Sequence, residues 1–180
     1  MGHTHGNGWH EGYVHVYTGD GKGKTTAALG LALRAAGAGY RVYIAQFIKG
    51  RHYAELDALK RFSDRITIRQ FGRGCFIRRG VAAADIDAAR HGLEEIRTVL
   101  RAGAHRVVIL DEANVAVSCG LFLTTDLLRL IDEKPPDIEL ILTGRDARSE
   151  LLERADLVTE MRELKHYYHQ GVLARDGIDK

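Results

Sequence analysis

Thr18-Gly19-Asp20-Gly21-Lys22-Gly23-Lys24-Thr25-Thr26 interleaves glycines with lysines and ends on two threonines, a set of residue types suited to holding phosphate. Glycines let successive backbone N–H groups converge on one anion, Lys24 adds a full positive charge, and the Thr25 hydroxyl is placed to ligate Mg²⁺. The usual pattern G-x-x-x-x-G-K-[ST] has glycine where this chain has Thr18, with Gly19 one place late, so a tighter nest is expected. A glycine-rich turn with incidental lysines is the alternative. Context argues against it: the apolar stretch Tyr13 to Tyr17 leads in and the Ala/Leu-rich run Ala27 to Ala36 leads out. Strand, turn and helix in that order aim the amides and the helix N-terminus at one point. The residues expected at a nucleoside triphosphate are therefore Gly19, Asp20, Gly21, Lys22, Gly23, Lys24, Thr25 and Thr26.

Val107-Val108-Ile109-Leu110-Asp111-Glu112 reads as a buried strand delivering two carboxylates to its carboxyl edge, where a phosphate loop needs an acid near its metal. Either Asp111 or Glu112 can face the metal; a helix N-cap is the competing use of such an acid. Thr143-Gly144-Arg145 follows another apolar run, and the Arg145 guanidinium could clamp phosphate oxygens bidentately. Arg34, in the helix after the loop, is either a nucleotide contact or a solvated surface arginine.

These residues need a scaffold. Apolar, β-rich runs recur between helical patterns at Val14 to Tyr17, Val42 to Phe47, Ile66 to Phe71, Val107 to Leu110, Ile138 to Leu142 and Leu157 to Met161. Such alternation predicts an α/β fold of the P-loop NTPase kind, a mostly parallel sheet flanked by helices, with ligands outside the carboxyl ends of the strands. The clearest helix spans Ala83 to Arg101, where Ile86, Ala89, Leu93, Ile96 and Leu100 share one face. Leu123 to Glu133, stopped by Pro135-Pro136, and Ala147 to Ala155 supply two more.

With 180 residues the chain suits one domain, expected over residues 13–180, and residues 1–12 read as a flexible His/Gly-rich tail. The composition, 45% hydrophobic and 28% charged with a net charge of +2, is that of an ordinary soluble protein with no call for a nucleic-acid partner. No apolar run approaches the ~20 residues of a membrane span. Cys75 and Cys119 lie far apart without metal-ligand spacing, which suits a reducing cytoplasm.

Taken together, the loop Gly19 to Thr26, the strand end Gln46-Phe47-Ile48-Lys49-Gly50, Asp111-Glu112, Thr143-Gly144-Arg145 and the segment from Lys165-His166 to Gly177-Ile178 resemble the P-loop corrinoid adenosyltransferases, which act on cob(I)yrinic acid a,c-diamide or cob(I)alamin. The resemblance runs from about Val14 to Asp179. It implies ATP bound in reversed polarity, with Lys24, Thr25 and Thr26 at the triphosphate, Mg²⁺ (or Mn²⁺) at Thr25 and Glu112, and Arg34 and Arg145 assisting. Lys24 and Glu112 are the residues it implies for catalysis. It further implies a corrinoid lying over the nucleotide against Gly74, Cys75, Phe76 and Ile77, an electron-donating reductase and a homodimer. In some members that loop carries Phe and Trp where this chain has Cys75 and Ile77; a core role for Phe76 and Ile77 is the alternative.

Two rival functions share the loop. One is a phosphoryl-transferring kinase, because Asp111-Glu112-Ala113-Asn114 is similar to the acidic motif of thymidine kinases, although the four-cysteine zinc site of that family is lacking. The other is an ATP-dependent corrinoid carrier without transfer chemistry.

Overall fold

The computed structural model describes residues 9–74 and 80–179. Its strands are β1 (Val14–Thr18), β2 (Val42–Gln46), β3 (Ile66–Gln70), β4 (Val107–Asp111), β5 (Glu139–Thr143) and β6 (Leu157–Glu160). They form a single sheet in the order β3-β2-β4-β5-β1-β6, and every neighbouring pair runs parallel. The helices are α1 (Lys24–Gly37), α2 (Ala54–Lys60), α3 (Ala83–Ala102), α4 (Ala113–Ser118), α5 (Thr124–Glu133) and α6 (Ser149–Arg154), followed by a 3₁₀ turn at Tyr167–Gln170.

Parallel strands in mid-sheet are covered on both faces, which is why β2 and β4 are buried at every position and carry continuous apolar runs. Alternate residues feed two cores. Val42, Ile44, Ile109 and Ile141 meet Ala28, Ala32 and Ala35 of α1 and Leu59 of α2 on one face. Tyr43, Ala45, Val108, Leu110, Leu140 and Leu142 meet α3 and α5 on the other. Helix α3 turns in the stripe read from the sequence, with Ala89, Leu93, Ile96 and Leu100 buried and Ile86 packed at the margin. Each fully buried aliphatic of this kind contributes about 1.5–3 kcal/mol. The helix is fixed at its start by the Asp85 carboxylate, which accepts from the Ala82 N–H at 3.0 Å, and ends on the left-handed Gly103.

Helix α1 leaves β1 and packs over β5, β4 and β2 before the chain enters β2. The loops after β1, β2, β4 and β5 consequently open onto one crevice at the carboxyl edge. Backbone strain gathers at that edge: Ile48, Glu112 and Asp146, the positive-φ non-glycine residues among those described, follow β2, β4 and β5.

Residues 9–12, read from the sequence as part of a tail, make contacts with the domain. Trp9 donates from Nε1 to the Asp137 carbonyl at 3.2 Å, its ring lies 4.3 Å from that of Tyr40, and the Gly12 N–H donates to the Pro136 carbonyl at 2.7 Å. An indole brings more burial and a hydrogen-bond donor than a tail reading allows. Residues 1–8 lie outside the described residues.

Candidate functional site

The loop after β1 turns through Gly19 to Gly23, and α1 begins at Lys24. Gly23 has φ 120°, a value only glycine takes without strain. Together with the ends of β2, β4 and β5 the loop lines a cleft of about 1010 Å³, to which Asp20 through Thr26, Lys49, Glu112 and Arg145 contribute.

Asp111 and Glu112 divide the work that the sequence left open between them. Asp111 is 1% exposed and its carboxylate is saturated. One oxygen accepts from Thr25 Oγ1 and from Thr143 Oγ1, both at 2.8 Å; the other accepts from Gln46 Nε2 at 3.2 Å and Lys49 Nζ at 3.0 Å. Lys49 also reaches Glu55 at 3.2 Å. Asp111 thus braces the Thr25 hydroxyl, which gives its proton to Asp111 and leaves its lone pairs free. Glu112 lines the cleft instead. Burial, then the neighbouring Asp111, pushes its pKa above the ordinary carboxylate value, against the pull of Lys49, Lys24 and Arg145.

That donor set fits a Mg²⁺ ion. Among the described residues no group of three or more His, Cys, Asp and Glu side chains forms a cage. Mg²⁺ asks for none: it keeps most of its waters and takes one or two protein oxygens plus phosphate oxygens. A hydroxyl held with its lone pairs free and a carboxylate whose charge is poorly compensated are such oxygens.

Lys24 folds back over the loop, its Nζ donating to the carbonyls of Gly19 at 2.5 Å and Gly21 at 2.7 Å. Burial and the nearby Arg145 lower its pKa. A phosphate in the nest would offer this ammonium a charged acceptor in place of two carbonyls. The tightness expected of the loop has a visible cause. The Gly21 N–H donates to the Met161 carbonyl at 2.7 Å, and a Cβ on Gly21 would stand 2.7 Å from that same oxygen. The chain leaving β6 therefore presses on the loop and uses one of its donors.

Lys22 turns to the C-terminal segment, donating to the Ile178 carbonyl at 2.5 Å and pairing with Asp179 at 3.0 Å. Asp179 also accepts from the Tyr167 hydroxyl at 2.6 Å and the Arg175 N–H at 3.1 Å, and these bonds hold its carboxyl well below the usual range. His166 and Gly177 to Asp179 thereby become part of the cleft wall.

Arg34 does not join the others. It is exposed in the last turn of α1, ten residues from Lys24, which at 1.5 Å per residue is about 15 Å along the axis, and it is not among the residues lining the cleft. Gly74 has φ 125°, and the segment leading to it starts beside the end of β2, since a Cβ on Gly50 would meet the Gly72 carbonyl at 2.3 Å. Cys75, Phe76 and Ile77 lie outside the described residues.

Residues 10–179 match the model of the family described as ATP:corrinoid adenosyltransferase BtuR/CobO/CobP. The chain belongs to that family. A corrinoid adenosyltransferase of a Sinorhizobium species is 34% identical over 94% of this chain and 80% of its own. That of Escherichia coli K12 is 34% identical over 93% and 85%, and that of Salmonella typhimurium LT2 33% identical over the same shares. Among solved structures, a KaiC-like protein from the archaeon Pyrococcus horikoshii OT3 superposes with a TM-score of 0.56 at 22% identity, over 86% of this chain and 75% of its own. At that identity the likeness shows the fold alone, a parallel sheet flanked by helices. Within the adenosyltransferase family frame, the residues that sequence reasoning undervalued are Lys49 and Thr143, the partners of Asp111. Their positions at strand carboxyl ends were visible; their convergence on one carboxylate was not.

Proposed function

We propose that this chain transfers the 5'-deoxyadenosyl group of ATP to the Co(I) centre of a corrinoid and releases inorganic triphosphate, a step in making or salvaging the adenosylated cofactor. Family membership across residues 10–179 carries the reading, and the cleft supplies the parts the reaction needs. Co(I) brings its own electron pair: a cobalt–carbon bond forms at C5', the C5'–oxygen bond breaks, and the triphosphate departs with that bond's electrons. No general base is needed. The protein has to hold the triphosphate, neutralise its growing charge and keep water out.

Lys24 and the free amides of the loop hold the phosphates, and Arg145, exposed at the rim, reaches toward the same cleft. Thr25, braced by Asp111, and Glu112 would hold Mg²⁺, which when bound supplies positive charge to the leaving triphosphate. In this reading Lys24 and Glu112, both lining the cleft, are the side chains that contact the reacting groups. Gly74, with Cys75, Phe76 and Ile77 after it, belongs to the corrinoid side of this reading, as does Arg34 to the nucleotide side by the family pattern. A corrinoid arriving as Co(II) needs one electron from a reductase. We further propose a cytoplasmic homodimer. The exposed edge strand β6, with Leu157 and Val158 at 42% and 46% exposure, supports a second subunit there, and among the described residues no helix is long and apolar enough to cross a membrane.

The test is the leaving group. Incubated anaerobically with ATP, Mg²⁺ and chemically reduced cobalamin, the protein should give a light-sensitive adenosylated corrinoid and inorganic triphosphate in equal amounts by phosphorus NMR. ADP formed in step with turnover, without a cobalt–carbon product, would reject this reading in favour of phosphoryl transfer.

A further inference from the structure

His166 is a cleft residue to which the reaction above gives no task. It lines the cleft from the C-terminal segment, half-buried, at the head of the 3₁₀ turn Tyr167–Gln170. Its Nδ1 accepts from the Tyr168 N–H at 3.0 Å and so caps that turn. A ring nitrogen that accepts carries no hydrogen, which leaves the proton of the neutral ring on Nε2. Among the described residues no acceptor meets that N–H. Tyr167 steadies the ring at a centroid distance of 4.6 Å and is itself fixed through its hydroxyl to Asp179 at 2.6 Å. His166 therefore brings to the cleft wall a donor whose tautomer is already set.

We infer that His166 is a substrate contact, its Nε2–H donating to a phosphate oxygen of the triphosphate on the flank of the loop away from α1. The inference deepens the nucleotide reading above and rests on it. Position selects the phosphates. Helix α1 leaves the loop toward β5, β4 and β2, whereas the C-terminal segment reaches the loop from the β6 side, through the Gly21 bond to Met161 and the Lys22 bonds to Ile178 and Asp179. A triphosphate in the nest would thus have Lys24 and the first amides of α1 on one flank and His166 on the other. Charge selects them as well. The neighbouring Asp179 carboxylate is engaged by Lys22, Tyr167 and Arg175, and the charge of Asp20 bears on Lys24. An anion at this wall meets a donor beside acids whose charge is already taken up.

Two substitutions separate this contact from the capping role. His166→Asn keeps an acceptor for the Tyr168 N–H, since asparagine is a good N-cap, but its amide stops short of the Nε2 position. His166→Gln places an amide NH₂ near the Nε2 position and gives up the cap. In calorimetry the asparagine variant should bind ATP and inorganic tripolyphosphate more weakly by the same factor, about tenfold, as expected for losing a hydrogen bond to a charged acceptor, while melting with the wild type. The glutamine variant should recover most of that factor despite melting lower. Wild-type affinities in His166→Asn would overturn the inference and leave His166 a cap. So would a loss for ATP alone, which would move the contact to the nucleoside, or a raised KM for the corrinoid with ATP affinity intact, which would give the ring to the corrin. Weakening that follows the melting temperatures of the two variants would overturn it too, since that is the effect of a disturbed segment. Failure of the wild type to bind either ligand would instead bring down the nucleotide reading, and this contact with it.

Discussion

Thr25 Oγ1 and Asp111 Oδ1, 86 residues apart in the chain, are joined by a hydrogen bond of 2.8 Å. It ties the first turn of α1 to the end of β4 across the crevice, and Lys49 and Thr143 bring β2 and β5 onto the same carboxylate. Three strand ends and the first turn of α1 are registered on one buried anion at the point where the metal and triphosphate would meet.

Asp111→Asn should be costly because all four partners are donors. A carboxylate accepts at both oxygens, whereas an amide must turn its NH₂ toward donors on one side. Lys49 keeps only Glu55, so unfolding in urea should show a loss near the lower end of the about 3–5 kcal/mol expected for breaking a buried pair. The Mg²⁺ concentration giving half-maximal activity should also rise, because Thr25 is no longer held with its proton turned away. Wild-type Mg²⁺ dependence in this variant would show that Thr25 needs no brace.

Lys24→Ala should weaken ATP binding by about 1.5–3 kcal/mol, the value of a hydrogen bond to a charged group, or roughly 10- to 150-fold. Removing the ammonium also strips the Gly19 and Gly21 carbonyls of their donor, so a modest fall in melting temperature should accompany the loss. Calorimetry with ATP and a thermal melt of the free protein check the two effects separately. Unchanged ATP affinity would contradict the phosphate-loop assignment.

The sheet and its main helices were legible because burial on one or both faces writes a period into the residues: β4 as an unbroken apolar run, α3 as the Ala89-Leu93-Ile96-Leu100 stripe. Helix α2 was not, since its short length buries only Leu59 and shows no period. Helix α4 was hidden behind the left-handed Glu112, a conformation that propensity does not announce. At the site, loop chemistry pointed to Lys24 and Thr25, but the different surroundings of Asp111 and Glu112 depended on the alignment of Gln46 with Asp111 between β2 and β4, which sets Gln46 and Lys49 against the aspartate. Strand adjacency of that kind is a long-range fact. Arg34, exposed one residue beyond the cleft-lining Leu33, is not itself among the lining residues.

Glu112→Gln should trade activity for stability in a pH-dependent way. Burial raises the pKa of Glu112 in the folded protein, so folding disfavours its ionised form; the penalty is absent below the ordinary carboxylate pKa, grows as pH rises through that range and is complete above the raised value. Without nucleotide or divalent ion, the glutamine variant should therefore melt higher than wild type at pH 7 to 8, and the gap should close as the pH falls toward 4. Turnover should drop and require more Mg²⁺. A gap independent of pH would show that the gain comes from packing and not from the removed charge.

Gly21→Ala probes the contact that makes the loop tight. Gly21 is a glycine because the backbone of Met161 and Arg162 lies where its Cβ would go, 2.7 Å from the Met161 carbonyl oxygen and 2.8 Å from the Arg162 carbonyl carbon. Backbone cannot yield as a side chain can, so alanine must push the chain leaving β6 off the loop and strain or break the Gly21–Met161 hydrogen bond. That chain continues into the segment held by Lys22 through Ile178 and Asp179. Amide hydrogen exchange should consequently quicken at Gly21 and in residues 166–179 together, with ATP affinity lowered as the nest opens, while the exchange of α3 and α5 on the far face stays as in the wild type. Faster exchange at Gly21 alone would mean that the C-terminal segment holds its place without the loop, and that Lys22, not the chain leaving β6, is what anchors it.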